Sequence, residues 1–183
     1  MKRVWTISNI ISISRIVFVL PAAYCLLGDF SYHREWALLF LVVASSTDFF
    51  DGYIARRLHQ VTDLGKIIDP LADKIGIGIV AVCLLLTGDI PLWYLVVVLL
   101  RDVLIFLGGI YINRRKGIVP QSNMAGKIAV NLIAIVFILS VLRMPSLHVI
   151  LVGMIWLSII VMFVSVVLYA KRLFIGLPLA PRS

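Results

Sequence analysis

Four aspartates stand close together in a chain that is otherwise rich in apolar residues, and they are the residues best suited to chemistry. Asp48 and Asp51 are three positions apart, and Asp69 and Asp73 are four positions apart. On an α-helix, each of these spacings puts both carboxylates on one face. Two helices joined by the short polar segment between the pairs could turn these faces toward each other. The spacing therefore predicts a pocket rich in carboxylate oxygens.

Such a pocket suits divalent cations. A charged side chain near the centre of a membrane-spanning helix costs about 2.5–3.5 kcal/mol on insertion scales, and four carboxylates also repel one another. A bound cation removes the repulsion, and oxygen ligands without His or Cys suit Mg²⁺ or Mn²⁺ rather than zinc. These ions are the usual partners of a pyrophosphate. We expect two ions held by the four aspartates, with Arg56 adding a permanent positive charge that binds a phosphate.

The composition indicates a membrane protein. Hydrophobic residues make up 62% of the 183 residues, and the mean hydropathy is +1.08, whereas a soluble domain is nearer half apolar. The length allows one polytopic membrane domain, and we expect residues 1–183 to form it. The net charge of +8 does not indicate nucleic-acid binding, because the basic residues gather at one side of the predicted helices, where they contact membrane lipids.

Apolar runs of about 20 residues predict six transmembrane helices and an all-α fold. The first pair of aspartates falls in the final turns of the second helix, and the second pair falls in the first turns of the third. Both pairs therefore lie at the same side of the membrane. The predicted spans are 8–27, 35–57, 66–87, 92–112, 124–142 and 147–170, with a basic loop from 114 to 122.

The distribution of basic residues predicts the orientation. Most Lys and Arg residues lie at the side that carries the aspartates, whereas Arg34 and Arg143 lie at the other side. By the positive-inside rule, the basic side is cytoplasmic and both termini lie there. We therefore expect an integral protein of the bacterial inner membrane whose active site faces the cytoplasm.

The aspartates belong to a longer pattern. The chain reads D-x-x-D-G-x-x-A-R, then eight residues, then G-x-x-x-D-x-x-x-D, and this pattern resembles the signature of the CDP-alcohol phosphatidyltransferases. The six-helix layout extends the resemblance over nearly the whole chain. Every fixed position of the signature is filled, by Asp48, Asp51, Gly52, Ala55, Arg56, Gly65, Asp69 and Asp73.

The resemblance implies a transferase of phospholipid synthesis and a role for each residue of the pattern. In enzymes of this kind, an alcohol hydroxyl attacks the phosphate of a CDP-linked lipid, usually CDP-diacylglycerol, and CMP leaves. By position, Asp48, Asp51 and Asp69 hold the metal ions, while Asp73 holds a metal ion and also accepts the proton of the hydroxyl. The family commonly forms homodimers, so a homodimer is expected. The cytidine and phosphate site is shaped by Gly52, Ala55, Arg56 and Gly65.

The acceptor alcohol is indicated by less specific features. The segment D-P-L-A-D-K at 69–74 resembles the form seen in phosphatidylglycerophosphate synthases and eukaryotic-type cardiolipin synthases. Gly126-Lys127 also resembles the glycerophosphate enzymes, whereas Arg101-Asp102 leans toward the cardiolipin type. We expect glycerol 3-phosphate as the acceptor. The alternative is a cardiolipin synthase, whose acceptor is phosphatidylglycerol.

Two basic residues are candidates for binding the phosphate of glycerol 3-phosphate. Lys127 lies at the start of the fifth predicted helix, and Arg101 lies deeper, on the fourth. Each has an alternative role. Lys127 could extend to the lipid headgroups, and Arg101 could pair with a carboxylate such as Asp69 or Asp73.

The aspartates themselves have two other interpretations. They could form structural ion pairs with Arg56, Arg57, Lys66 and Lys74. They could also line the path of a divalent-cation channel or transporter, because acids within membranes mark ion pathways. The acids gather near one side and do not continue through the membrane, which favours the enzyme.

Overall fold

The protein is all-helical throughout the part of the chain that the structure describes. The computed structural model describes the backbone of residues 7–57, 65–116 and 124–175, and within it the side chains of residues 17–46, 74–111 and 124–171. These ranges hold six α-helices, one turn of 3₁₀-helix at Pro145–Leu147, and no strand. The all-α prediction is confirmed. Helices α1 to α6 span Ile7–Leu27, His33–Arg57, Gly65–Leu86, Leu92–Lys116, Met124–Leu142 and His148–Ile175.

The helix bounds lie close to the predicted ones, and the largest differences are at the end of α6, which runs to Ile175, and at the end of α4. This helix continues to Lys116, so Arg114, Arg115 and Lys116 lie in its last turn rather than in a loop. A helix can continue past the apolar run that crosses the lipid, because its backbone hydrogen bonds do not require apolar side chains.

Three helices in the described residues are long and apolar enough to cross a membrane. The apolar spans are Leu92–Tyr111, Met124–Leu142 and Pro145–Lys171, and shorter apolar stretches cover Val17–Leu27 and Lys74–Leu86. Large apolar side chains such as those of Leu99, Phe106 and Phe163 are exposed on the helix surfaces, as expected where helices face lipid. The chain is therefore an integral membrane protein.

The chain divides into two compact units, a first unit of Met1–Ile90 and a second unit of Pro91–Ser183. In the first unit, α1 packs against both α2 and α3. The core of this unit is built largely from small side chains. A Cβ atom added at Gly76 of α3 would lie 3.5 Å from Cγ2 of Val19 on α1, so the two helices approach closely, as small residues allow in membrane helices. The small buried residues include Ala22, Ala23, Cys25, Ala37, Ala44, Ala81 and Cys83.

A partly buried ion pair joins the first turn of α2 to the turn after α3. Nη2 of Arg34 donates to Oδ2 of Asp89 at 2.9 Å, and the two side chains are 14% and 3% exposed. The hydroxyl of Thr87 donates to the same carboxylate oxygen at 2.5 Å. Gly88 has φ = +73°, a backbone conformation that glycine adopts without steric cost. The carboxylate of Asp89 therefore ties these ends of α2 and α3 together.

In the second unit, α4 and α5 each pack against α6. The contact between α4 and α6 includes a buried hydrogen bond of 2.9 Å between the hydroxyls of Tyr94 and Ser158. Because Ser158 donates to the carbonyl of Ile155 at 2.7 Å, the Tyr94 hydroxyl is the donor to Ser158. A buried tyrosine whose hydroxyl has a partner fixes the position of α4 along α6.

Candidate active site

The structure places both halves of the aspartate pattern on regular helix. Asp48 and Asp51 lie in α2, which continues to Arg57. Gly52, Ala55 and Arg56 follow in the same helix. The prediction that the first pair falls near the end of the second helix is confirmed. The side chains of these residues lie outside the described residues.

The second pair lies at the start of α3. Gly65 is the first residue of this helix, and Asp69 and Asp73 fall in its first turns. The helical spacing assumed for both pairs is therefore present in the backbone. The side chains of these three residues also lie outside the described part of the chain, so the distances between the carboxylates remain predictions.

The buried residues of α2 and α3 identify the face of each helix that packs inside the first unit. On α2, Ala37 and Ala44 are buried, and Asp48 and Asp51 follow Ala44 by four and seven residues. A helical repeat of 3.6 residues keeps positions three, four and seven apart on one face. By this spacing, Asp48 and Asp51 occupy backbone positions on the same face of α2 as Ala37 and Ala44.

The same register holds on α3. Val80 and Leu84 are buried, and Gly76 lies against α1. Asp73 precedes Gly76 by three residues and Val80 by seven, and Asp69 precedes Asp73 by four. By this spacing, Asp69 and Asp73 occupy backbone positions on the same face of α3 as Gly76 and Val80.

The guanidinium of Arg101 is the main charged group inside the described part of the second unit. Its side chain is 10% exposed, and Nη1 donates to Oδ1 of Asp102 at 2.7 Å. Nη2 donates to the carbonyl oxygen of Gly126 at 3.3 Å. Nε is buried and has no hydrogen-bond partner among the described residues. Among the described side chains, the carboxylate partner of Arg101 is thus its neighbour along α4.

Lys127 follows Gly126 in the first turns of α5. Its side chain is exposed, whereas Gly126 and Ala129 are buried. The two candidates for the acceptor phosphate are therefore linked in the structure, because Arg101 bonds to the residue that precedes Lys127. The sequence contained no signal for this link, since the two residues belong to different helices.

No group of three or more His, Cys, Asp or Glu side chains that could hold a metal ion occurs among the described side chains, and the four aspartates lie outside that set.

Cys25 and Cys83 are both buried free thiols, as expected for small apolar residues. The sequence did not predict the ion pair between Arg34 and Asp89. Arg34 lies in the first turn of α2, and Asp89 lies in the turn after α3.

Comparison with known proteins gives a consistent family assignment. The family model described as CDP-alcohol phosphatidyltransferase matches residues 5–170. The match extends into both units and includes all eight residues of the aspartate pattern.

Individual relatives differ in the acceptor that their names imply. A cardiolipin synthase (CMP-forming) of Streptomyces coelicolor is 37% identical over 131 residues, which are 69% of this chain and 60% of that protein. A CDP-diacylglycerol–glycerol-3-phosphate 3-phosphatidyltransferase of Rickettsia felis is 36% identical over 64% of this chain and 65% of its own length. The chain thus spans less than two thirds of these two relatives. A probable phosphatidylglycerophosphate synthase of Mycobacterium tuberculosis is 32% identical over 93% of this chain and 82% of its own length.

Proposed function

This chain belongs to the CDP-alcohol phosphatidyltransferase family, and on that premise we propose that it transfers a phosphatidyl group from CDP-diacylglycerol to an alcohol. The hydroxyl oxygen of the acceptor forms a bond to the phosphorus that carries diacylglycerol. The bond from this phosphorus to the oxygen of CMP breaks, and CMP leaves. Glycerol 3-phosphate is the proposed acceptor, so the product is phosphatidylglycerophosphate.

The observation that carries the proposal is the register of α2 and α3. Asp48 and Asp51 lie 14 and 17 residues after Arg34, which is about 21 and 26 Å along a helix. Asp73 and Asp69 lie 13 and 17 residues before Leu86, which is about 20 and 26 Å along α3. The Arg34–Asp89 ion pair ties the ends from which both distances are counted. The matched distances support a single cluster in which Asp48 is level with Asp73 and Asp51 is level with Asp69.

The donor set of this cluster fits a divalent metal. Four carboxylates and no His or Cys are hard oxygen ligands, which Mg²⁺ and Mn²⁺ prefer. We propose that Asp48, Asp51, Asp69 and Asp73 hold two such ions. When bound, the ions neutralise the phosphate charge of the donor and of the departing CMP.

The chain's own residues supply binding and proton transfer. We propose that Asp73 accepts the proton of the acceptor hydroxyl as its oxygen attacks, because a positioned carboxylate can act as a general base. Arg56 binds a phosphate of the CDP group through its guanidinium. Gly52 and Ala55 leave the surface of α2 without bulky side chains, which admits the cytidine, and Gly65 begins α3 at the same site.

Glycerol 3-phosphate is favoured as the acceptor by the extent of the similarity. The relative aligned over 93% of this chain is a probable phosphatidylglycerophosphate synthase. The similarity to a cardiolipin synthase over 69% of the chain keeps phosphatidylglycerol as the second candidate acceptor. The two acceptors differ in charge and in solubility, and an acceptor assay therefore separates them.

The purified protein in lipid nanodiscs, supplied with CDP-diacylglycerol and Mg²⁺, should release CMP when glycerol 3-phosphate is added. Phosphatidylglycerol, inositol phosphate and serine in parallel reactions should give much less CMP. A preference for phosphatidylglycerol would identify a cardiolipin synthase instead. If none of the four acceptors led to CMP release, the proposed range of acceptors would be wrong.

We propose that Lys127 binds the phosphate of the acceptor. Its side chain is exposed in the first turns of α5, and the free N–H groups at the start of a helix carry partial positive charge that favours an anion. Arg101 adds a second fixed positive charge, bonded to the residue that precedes Lys127. The two residues thus make the start of α5 suitable for a dianionic acceptor.

Lys127→Ala should raise the KM for glycerol 3-phosphate about a hundredfold, since loss of a charged contact to a phosphate typically costs a few kcal/mol. The KM for CDP-diacylglycerol should change little. Steady-state kinetics with each substrate varied in turn measure both values. The matched control is Lys171→Ala, another exposed lysine, near the end of α6. An acceptor KM that stays at the wild-type value in Lys127→Ala would remove Lys127 from the site.

We also propose the full topology and assembly. Six helices cross the bacterial inner membrane as one domain, with both termini and the active site at the cytoplasmic side, and two copies form a homodimer. The three apolar spans and the helix bounds support the topology, and the positive-inside rule supports the orientation. Native mass spectrometry from nanodiscs tests the dimer, and a monomeric mass would contradict it.

A further inference from the structure

Arg101 stands in the middle of the apolar span of α4, where a charged group is costly. Two of its three nitrogens are already used by the chain, through the bonds to Asp102 and to the carbonyl of Gly126. Only Nε has no hydrogen-bond partner among the described residues. The guanidinium is thus committed mainly to a neighbouring carboxylate and to the backbone of another helix.

The bond to Gly126 acts on a particular part of α5. Peptide units are planar, so the carbonyl oxygen of Gly126 lies in one rigid plane with the backbone N and Cα of Lys127. A hydrogen bond that holds this oxygen therefore restricts the direction in which Lys127 leaves the backbone. Glycine at position 126 gives the backbone more conformational freedom than any other residue would. The hydrogen bond from Arg101 therefore restricts the backbone more at this glycine than it would at another residue type.

The charge of Arg101 does not complement the dipole of α5. The start of a helix carries partial positive charge, and a cation placed there is unfavourable. Asp102 offsets part of the charge of Arg101, although its own side chain is 44% exposed. Positive charge from Arg101, Lys127 and the start of α5 therefore accumulates at one place, which favours a bound anion.

We propose that Arg101 is a positioning residue that sets the ammonium group of Lys127 for the acceptor phosphate by holding the carbonyl of Gly126. Asp102 orients the guanidinium of Arg101 for this contact. The inference rests on the proposed role of Lys127 in binding the acceptor phosphate, and it adds Arg101 as the residue that holds Lys127 in position. Arg101 itself acts on the phosphate through Lys127 and not by direct contact.

A double-mutant cycle on Arg101 and Lys127 tests the proposal. Arg101→Gln should raise the KM for glycerol 3-phosphate about five- to tenfold, the effect of one hydrogen bond, with the KM for CDP-diacylglycerol unchanged. The double variant with Lys127→Ala should have the same acceptor KM as Lys127→Ala alone, because residues that act through one another are not additive. Arg101→Lys, which keeps one donor, should recover part of the loss. Additive effects would show direct contact by Arg101 and overturn the proposal.

A distance measurement tests the positioning without any substrate. Spin labels at Leu107 on α4 and Met124 on α5, both exposed, report the separation of the two helices by pulsed electron paramagnetic resonance, with Cys25 and Cys83 replaced by alanine. Arg101→Gln should broaden or shift the distance distribution, and an unchanged distribution would overturn the proposal.

The matched control is Arg34→Gln, which removes a partly buried arginine that is ion-paired in the first unit. It should leave both the label distance and the acceptor KM unchanged, even if it lowers kcat. Suppose that Lys127→Ala has the wild-type acceptor KM and that Arg101→Gln has an altered label distance. The first result would show that Lys127 does not bind the acceptor phosphate, and the second would show that Arg101 still positions α5. Failure of the role proposed for Lys127 can therefore be distinguished from failure of the role proposed for Arg101.

Discussion

Chelation of divalent cations should abolish CMP release from CDP-diacylglycerol, and added Mg²⁺ or Mn²⁺ should restore it. The expected effect is large because, in the proposed cluster, the four carboxylates would repel one another and the pyrophosphate of the donor when no cation is present. The measurement is the rate of CMP release after treatment with EDTA, followed by titration with each cation. Full activity in excess chelator would rule out the metal site.

A substitution in the cluster makes the metal test specific. Asp51→Asn removes one charge from the proposed ligand set, so the Mg²⁺ concentration for half-maximal activity should rise. Asp29→Asn is the matched control, because Asp29 is an exposed acid in the turn before α2 and far from the cluster along the helix. If both variants needed the same Mg²⁺ concentration as the wild type, Asp51 would not be a ligand.

Replacement of Asp73 by asparagine should lower kcat by about a hundredfold to ten-thousandfold, the usual contribution of a general base. The amide keeps the size of the side chain and one oxygen, but it cannot accept the proton of the acceptor hydroxyl. Binding of CDP-diacylglycerol should persist, because Asp48, Asp51 and Asp69 remain. Turnover and equilibrium binding of the donor are measured on the same preparation.

The two measurements separate the two proposed roles of Asp73. Loss of donor binding together with turnover would make metal ligation its main role. Turnover close to the wild-type rate would exclude Asp73 as the base. Asp29→Asn again serves as the control, and it should retain both turnover and donor binding.

The sequence by itself determined the helices and the residues of the candidate site. Six apolar stretches of about 20 residues can satisfy their backbone hydrogen bonds in a membrane only as helices, and the predicted bounds agree with the structure within a few residues at most helix ends. The spacing of three and four between the aspartates needs only the helical period. That local property holds for Asp48 and Asp51 on α2 and for Asp69 and Asp73 on α3.

The end of α4 shows where local reasoning was insufficient. Arg114, Arg115 and Lys116 are polar and follow an apolar run, which predicts a loop. In the structure they complete the helix. Hydropathy reports where a helix leaves the lipid, whereas the helix itself ends where its backbone hydrogen bonds can no longer continue.

Contacts between residues far apart in sequence required the tertiary structure. The Arg34–Asp89 ion pair, the bond between Tyr94 and Ser158, and the bond from Arg101 to Gly126 join groups 55, 64 and 25 residues apart. Each depends on the relative rotation and translation of helices, and a periodic pattern in one helix carries no information about either. The tertiary structure therefore decided that Arg101 is bonded to the backbone beside Lys127, because packing on α6 sets which groups of α4 and α5 come within hydrogen-bond distance.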